Sequence, residues 1–212
     1  MDQIIKAAFA DRGSRQHQVE LGASEIGGCR MQTHLRINKH PVVNETLGMA
    51  AWMGTAIHKA IEANLRAFDP WGDEVISELE LTSESWPIPL RGHVDCYVPG
   101  ENVVIDWKTT TKKNLRYFPK QQQIWQVHIY ADMLREAGYT VNKVALVAIP
   151  RDGDERDVVV HRQDFDPSIV QQAKDWLQAV VDGHVAADNS PSFCALYCGF
   201  YDPSGVNGCA GK

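Results

Sequence analysis

The sequence predicts one mixed domain of helices and strands, of either the α/β or the α+β class. Apolar residues recur at helical spacing at Ile57, Ile61 and Leu65, whereas residues 90–98 and 103–108 alternate between faces as strands do. The chain has 212 residues, of which 44% are hydrophobic and 23% charged. These values are ordinary for a soluble globular protein with one sizeable core.

The first half of the chain is predicted to begin with helical segments and to continue with strands. Ser24 and Glu25 form a helix-start signal within residues 19–38. A helix from about Leu47 to Phe68 is ended by Asp69–Pro70, because the residue before a proline avoids helical geometry. Three strands are predicted next: Val75–Leu81, Leu90–Val98 and Val103–Lys108, the last two joined by the turn sequence Pro99–Gly100–Glu101–Asn102.

The second half of the chain is predicted to contain two long helices and two strands. A helix from about Lys120 to Ala137 stops at Gly138, a residue that readily ends helices. Strands are predicted at Lys143–Pro150 and Asp157–His161, on either side of a turn at residues 151–154. Asp166–Pro167 begins a helix that extends to about Asp182, and the tail from Asn189 onward is predicted to be a loop.

Charge and composition limit the classes of function. The net charge is −6 and the pI about 5.7, which argues weakly against a nucleic-acid partner. However, residues 108–120 carry only basic charges, which either engage phosphates or lie on a solvated loop. The sequence contains no apolar run of about 18 residues, the length that a membrane span requires. No secretory signal is recognised at the N-terminus, so a cytoplasmic location is expected.

Residues 92–110 are predicted to form a hairpin with one apolar and one ionisable face. Closing the turn symmetrically pairs Val98 with Val103 and places Cys96 opposite Ile105 on the apolar face. In the same register the ionisable face carries two opposed pairs, Asp95 with Asp106 and His93 with Lys108.

Two carboxylates on neighbouring strands repel each other, so the pairing of Asp95 with Asp106 needs a reason. A divalent cation such as Mg²⁺ or Mn²⁺ is the simplest one, because hard cations prefer carboxylate oxygens. Lys108 points to the same side and can orient an attacking water or offset charge that develops on a phosphate. The alternative interpretation is an ordinary surface hairpin with three solvated charges.

Three motifs resemble those of one nuclease family. Asp95 with Asp106–Trp107–Lys108 resembles the Asp and (Asp/Glu)-x-Lys core of the PD-(D/E)XK nuclease superfamily. Gly54 to His58 resembles the G-x-x-x-H element of its RecB-like branch, and Gln126 to Tyr130 resembles the Gln-x-x-x-Tyr element. That branch usually has glutamate where this chain has Asp106, which shortens the ligand by one methylene.

The resemblance implies a restriction-endonuclease-like core, with a central mixed sheet flanked by helices, that hydrolyses DNA with Mg²⁺ or Mn²⁺. The implied metal ligands are His58, Asp95, Asp106 and the carbonyl of Trp107. Lys108 is expected to position water or stabilise the transition state, with Gln126 and Tyr130 near the DNA backbone or the catalytic groups. The residues expected to hold the approaching DNA strand are Lys112, Lys113, Arg116 and Lys120.

Five cysteines in a reducing compartment favour metal binding, a cluster or burial over disulfides, and the odd number suits four ligands and one bystander. The bystander is Cys96, which is expected in the core. One early cysteine, Cys29, and three late ones, Cys194, Cys198 and Cys209, resemble the arrangement in the CRISPR-associated iron–sulfur exonucleases. The resemblance implies a 4Fe-4S cluster, with zinc as the alternative, although the gap before Cys209 is wider than in that family.

These observations lead to the hypothesis of a stand-alone exonuclease that acts on single-stranded DNA or DNA ends. Residues 1–212 are expected to form a single nuclease domain, with a core at about 47–185 and a cluster-bearing cap from about 19–40 and 189–212. A non-catalytic DNA-binding or assembly factor on the same fold and a structure-specific endonuclease are the alternatives. Membrane association is not expected, and the oligomeric state is left open.

Overall fold

The computed structural model describes residues 21–44, 49–67 and 75–211. The strands are β1 (Leu21–Gly22), β2 (Ile76–Ser83), β3 (Leu90–Val98), β4 (Val103–Thr110), β5 (Lys143–Pro150) and β6 (Val159–Asp164). The α-helices are α1 (Arg30–Ile37), α2 (Met49–Ala67), α3 (Gln121–Glu136), α4 (Pro167–Val181) and α5 (Pro191–Tyr197).

The six strands form one mixed sheet in the order β1-β3-β4-β5-β6, with β2 also paired to β3. The β2–β3, β3–β4 and β5–β6 pairs are antiparallel, whereas β4–β5 and β1–β3 are parallel. Because β2 pairs along the whole of one edge of β3, β1 and β4 share the other edge at opposite ends. The middle of β3 on that side is therefore open, and this opening positions the site described below.

Helices cover both faces of the sheet. The larger core lies between one face and helices α3 and α4, and its fully buried side chains include Ile129, Leu134, Leu146 and Leu177. On the opposite face a smaller cluster is centred on Cys96, against which Leu65 of α2 packs. The structure is thus an α/β fold with a central mixed sheet flanked by helices, as the sequence predicts.

Most of the predicted elements are found with small shifts of their ends. The strand at Leu90–Val98, the strand at Lys143–Pro150 and the C-terminal stop at Gly138, which has a φ of 92°, agree with the prediction. Asp166 caps α4 by accepting a hydrogen bond from the Ser168 N–H at 2.8 Å. The predicted ends of the second helix at Leu47 and Phe68, and the Asp69–Pro70 stop, lie outside the described residues.

Three predictions about secondary structure are wrong. The tail after Asn189 contains helix α5, which begins with Pro191 at a position where its missing N–H costs nothing. Ser24 and Glu25 lie in a short 3₁₀ segment, and the α-helix of that region begins later, at Arg30. Asp157 belongs to a 3₁₀ turn, so the last strand begins at Val159 and continues to Asp164.

The two end segments of the described chain pack against each other, and residues 29–44 with 186–211 are called the cysteine cap below. The Met31 N–H donates to the Ala186 carbonyl at 3.0 Å, and the Arg30 N–H donates to the Asp188 carboxylate at 2.9 Å. The amide of Asn44 donates to two carbonyls, those of Ala195 and Cys198. No helix among the residues described has the length and apolar character that a membrane crossing requires.

Candidate active site

The site lies where β3 and β4 separate. The predicted register is confirmed for three pairs, Cys96 with Ile105, Tyr97 with Val104 and Val98 with Val103, and the ladder ends there. The predicted continuation, with Asp95 directly opposite Asp106 and His93 opposite Lys108, is therefore wrong. On the opposite edge of β3, His93 is paired with Glu80 of β2.

Asp95 occupies the gap between the two separating strands. Its Oδ2 accepts the backbone N–H of Trp107 at 2.9 Å, so the carboxylate satisfies a donor that the ladder leaves unpaired. The side chain is only 5% exposed. This contact fixes the Asp95 carboxylate beside the strand that carries Asp106 and Lys108.

Asp106 and Lys108 project toward helix α3, where Gln126 connects them. Lys108 Nζ lies 2.8 Å from Asp106 Oδ2 and donates to Gln126 Oε1 at 2.8 Å. The Gln126 amide donates to Asp106 Oδ1 at 3.0 Å and to the Tyr130 hydroxyl at 2.8 Å. Gln126 and Tyr130 are both buried, and Gln126 links Tyr130 to the two ionisable side chains.

His58 reaches the same place from α2. Its Nδ1 lies 3.4 Å from Asp95 Oδ1, and the imidazole side chain is 17% exposed. Gly54, one turn earlier, lets the helix approach β4, since a Cβ there would meet the Thr109 hydroxyl oxygen at 3.3 Å. The spacing from Gly54 to His58 thus combines a close helix–strand contact with a ring directed at the carboxylates.

Glu78 joins this group, although no sequence motif contains it. Within the described ranges, the group of three His, Cys, Asp or Glu residues whose ligand atoms all lie within 4.8 Å of one another is His58, Glu78 and Asp95. Glu78 lies in β2, between residues paired with Cys96 and Val94, and has a φ of 52°. A glutamate in that left-handed conformation is uncommon within a strand. The alternating sequence around it gives no sign of this conformation.

The ionisable groups of the site shift one another's pKa values. Burial raises the pKa of Asp106 to about 6, opposed by the charge of Lys108 and assisted by that of Asp95. Burial would also raise the pKa of Asp95, but the hydrogen bond and charge of His58 outweigh it, so the pKa is lowered. The pKa of His58 is raised because Asp95 and Asp106 together outweigh the effect of burial.

The predicted basic strip divides into residues with different surroundings. Lys112 forms an ion pair with Asp157 at 2.8 Å, so it is less available to DNA than the sequence suggests. Arg116 lies over the Tyr117 ring at 4.6 Å. Lys113 and Lys120 are exposed. The predicted roles of these four residues in holding DNA stay predictions.

The indole of Trp107 faces away from the site. Together with Ile105 and Val147 it lines a groove of about 640 Å³ on the opposite side of the sheet. That groove contains none of the four ionisable groups of the predicted centre. Only the backbone of Trp107 is therefore able to serve the site, and its carbonyl stays a predicted ligand.

Four cysteines lie in the cysteine cap, and none of them forms a disulfide. Burial raises the pKa of the Cys194 thiol, and the charges of Cys198, Cys29 and Cys209 add to this effect, so these three sulfurs lie near that of Cys194. The Asp188 N–H donates to Cys29 Sγ at 3.4 Å and the Gly211 N–H to Cys209 Sγ at 3.3 Å. In the part of the chain described, no three of these sulfurs lie within 4.8 Å of one another.

Cys96 lies apart from the other four cysteines. It is 1% exposed within the smaller core cluster, and burial raises the pKa of its thiol to about 12. The prediction that Cys96 is a core residue is confirmed.

Buried carboxylates, a lysine and a histidine at the open edge of a mixed α/β sheet form the kind of arrangement that binds a divalent cation beside a phosphate. The model of the PD-(D/E)XK nuclease superfamily matches residues 37–202. The chain therefore belongs to the PD-(D/E)XK nuclease superfamily. Members of that superfamily use divalent metals. No curated protein matches the sequence.

Solved structures agree with this assignment at the level of the fold. The crystal structure of SSO0001 has a TM-score of 0.62 at 15% identity, covering 93% of this chain and 94% of that one. An alkaline exonuclease from Laribacter hongkongensis has a TM-score of 0.53 at 14% identity, covering 84% and 91%. A phage-related exonuclease from Haemophilus somnus 129PT has a TM-score of 0.52 at 11% identity, covering 78% and 93%.

Proposed function

We propose that the protein is a metal-dependent exonuclease that hydrolyses phosphodiester bonds in single-stranded DNA or at DNA ends. The observation that carries the proposal is the convergence of Asp95, Asp106, Lys108 and His58 where β3 and β4 separate. The similar folds of two exonucleases support it. DNA is the expected substrate, and the whole described chain is proposed to act as one nuclease domain.

The proposed metal ligands are His58, Asp95 and Asp106, with the Trp107 carbonyl and Glu78 as additions. The donor set fits Mg²⁺ or Mn²⁺, because it consists of carboxylate oxygens, a carbonyl and one imidazole. A divalent cation held there supplies an activated water and a charge that stabilises the phosphoryl oxygens. Glu78 is included because its carboxylate belongs to the same compact group as His58 and Asp95.

The remaining residues act on water, phosphate and one another. The ammonium of Lys108 is proposed to contact the scissile phosphate or the attacking water, where it offsets developing negative charge. Gln126 is a positioning residue, because its amide holds both Asp106 and Lys108. Tyr130 in turn holds Gln126.

The proposed activity is tested with single-stranded DNA labelled at one end, incubated with Mn²⁺, with Mg²⁺ and with a chelator. An exonuclease is expected to release label or shorten the strand stepwise only when the cation is present, and to leave closed circular single-stranded DNA intact. Cutting of the circle would favour a structure-specific endonuclease instead. Binding without any metal-dependent cleavage would favour the non-catalytic alternative.

Removing the Gln126 side chain is expected to slow the reaction without weakening substrate binding. Gln126→Ala should lower kcat by about 10- to 100-fold, as is typical when a group that orients metal ligands or catalytic residues is lost. KM should stay unchanged, because Gln126 is buried and does not reach the substrate. Tyr130→Phe removes the hydroxyl that accepts the Gln126 amide and should cost no more than about ten-fold. Steady-state kinetics that show a raised KM with an unchanged kcat would contradict this role.

The cysteine cap is proposed to hold a 4Fe-4S cluster between Cys29, Cys194, Cys198 and Cys209. Backbone N–H groups donate to the sulfurs of Cys29 and Cys209, and hydrogen bonds of this kind are typical of the sulfurs that surround an iron–sulfur cluster. A single zinc ion needs sulfurs about 3.8 Å apart for tetrahedral Zn–S bonds. Among the described residues no three of these sulfurs lie within 4.8 Å of one another, and the iron and sulfide atoms of a cluster hold its thiolates farther apart than one zinc ion does.

A further inference from the structure

A second groove opens beside Lys108, on the side of the active site that faces the cysteine cap. It has a volume of about 430 Å³ and is bounded by the start of α2, the turn that precedes α3, and α5. Besides Lys108, its lining includes two cations, Lys120 and Arg151, and four aromatic residues, of which Tyr117, Phe193 and Tyr197 are exposed. No carboxylate is among the described residues that line it.

Three of the aromatic rings are unusually open to solvent. Tyr117 is 56% exposed, Phe193 47% and Tyr197 48%. The centroids of Phe193 and Tyr197 lie 4.8 Å apart, so the two rings form one platform on α5. The Arg116 guanidinium lies over the Tyr117 ring, 4.6 Å from its centroid. Exposed rings at a groove provide surfaces on which nucleobases stack, whatever the base.

The cations are placed for phosphates rather than for the protein's own carboxylates. Over the described ranges neither Lys120 nor Arg151 forms an ion pair, in contrast to Lys112, which binds Asp157. The Arg151 guanidinium is directed to the start of α2, where it donates to the Ala50 carbonyl at 3.5 Å. Basic groups that follow a line of stacking rings are the combination that binds single-stranded nucleic acid.

We propose that this groove binds an unpaired segment of single-stranded DNA that leads to Lys108. Its bases stack on Tyr117 and on the Phe193–Tyr197 platform, while Lys120 and Arg151 bind phosphates. Bases in a duplex are stacked on one another and paired, so a duplex cannot offer their faces to these rings. The proposal rests on the proposed nuclease function and narrows its substrate to an unpaired strand.

The test is a binding measurement without turnover, in which Ca²⁺ replaces Mg²⁺ or Mn²⁺. Fluorescence anisotropy of a labelled oligothymidylate is expected to show that Phe193→Ala with Tyr197→Ala weakens binding roughly 10- to 100-fold. Binding to a blunt duplex of equal length should change little. Leu196→Ala is the matched control, because Leu196 is exposed on the same helix but does not line the groove. Phe193→Tyr with Tyr197→Phe should keep the wild-type affinity.

A second variant distinguishes loss of stacking from structural damage to the cysteine cap, in which Phe193 and Tyr197 lie. Tyr117→Ala, which lies outside the cysteine cap, is also expected to weaken oligothymidylate binding selectively. Wild-type affinity in both the double variant and Tyr117→Ala, or equal losses for single strand and duplex, would overturn the proposal.

The catalytic centre is tested separately with bis(para-nitrophenyl) phosphate and Mn²⁺, a small diester that needs no groove. Both groove variants should hydrolyse it at the wild-type rate. Failure of the wild-type protein to hydrolyse either this diester or DNA would contradict the nuclease function. The anisotropy result would still decide whether the groove binds an unpaired strand.

Discussion

Asp106→Asn is expected to lower DNA hydrolysis about 1000-fold while the protein stays folded. The substitution keeps the size of the side chain but removes the charge that a divalent cation needs, a loss of several kcal/mol in the transition state. It also places an amide among donors, because Gln126 and Lys108 both direct N–H groups at this carboxylate. Cleavage of end-labelled DNA under single-turnover conditions measures the effect.

Folding and activity are expected to respond differently to this substitution. Burial raises the pKa of Asp106 to about 6, so the ionised carboxylate is disfavoured in the folded state at neutral pH. Because the folded-state pKa of Asp106 is raised above its ordinary value of 3.8, the protonated carboxyl contributes stability that is lost as the pH rises through about 6. The charged form therefore does not stabilise the fold, and removal of the charge should not unfold the protein. Asp175→Asn, at an exposed position on α4, is the matched control and should retain full activity. Near-wild-type cleavage by Asp106→Asn would exclude the proposed centre.

Lys108→Met tests whether Asp106 and Lys108 act together. It should cause a loss of similar size, and the double variant should lose little more than either single one, because residues that act together are not additive. Independent, multiplying losses would indicate that Asp106 and Lys108 serve different steps.

Cys29→Ser and Cys198→Ser are each expected to remove the proposed cluster and to lower the melting temperature by roughly 10 °C. Anaerobically purified wild-type protein should be brown, with broad absorbance near ~400 nm, and each variant should be colourless. Cys29 lies more than a hundred residues from the other three cysteines, so their ligation to one cluster closes a very long loop. A disulfide that closes a loop of such length stabilises the folded state by about 4 kcal/mol. A loss of that size lowers the melting temperature of a chain of this length by roughly 10 °C.

Cys96→Ala is the matched control for the cysteine variants. Cys96 is buried in the sheet core, away from the cysteine cap, so this variant should keep the colour and the iron content. A wild-type protein that contains zinc and lacks colour would replace the cluster with a zinc site. A Cys198→Ser variant that retains iron and full thermal stability would contradict both the role of Cys198 as a ligand and the predicted stabilisation.

The local parts of the fold and site could be predicted because they depend on neighbouring residues. The β3–β4 register follows from the alternation around a short turn, and it places Cys96 opposite Ile105 as expected. The i, i+4 spacing of Gln126 and Tyr130 puts both on the same face of α3, where they meet. These features need no knowledge of distant segments.

The parts that failed depend on long-range packing. Glu78 joins the site through its unusual backbone conformation and its pairing with β3, which an ordinary alternating sequence does not reveal. Lys112 forms an ion pair with Asp157, which lies on a turn far along the chain. The availability of the basic strip to DNA could therefore not be predicted from the composition of residues 108–120 alone. Helix α5 was missed because it is short, although Ser190–Pro191 is a usable start signal.

The contacts of Asp95 and Asp106 have a practical consequence for handling the protein. Asp106 is held by an ammonium and an amide, and Asp95 by a backbone N–H and the imidazole of His58. Each carboxylate thus has donors from the protein itself, so a cation bound at the proposed site would exchange with these partners rather than meet bare negative charge. Preparations stripped of divalent ions should therefore store as intact protein and begin turnover when the ion is added.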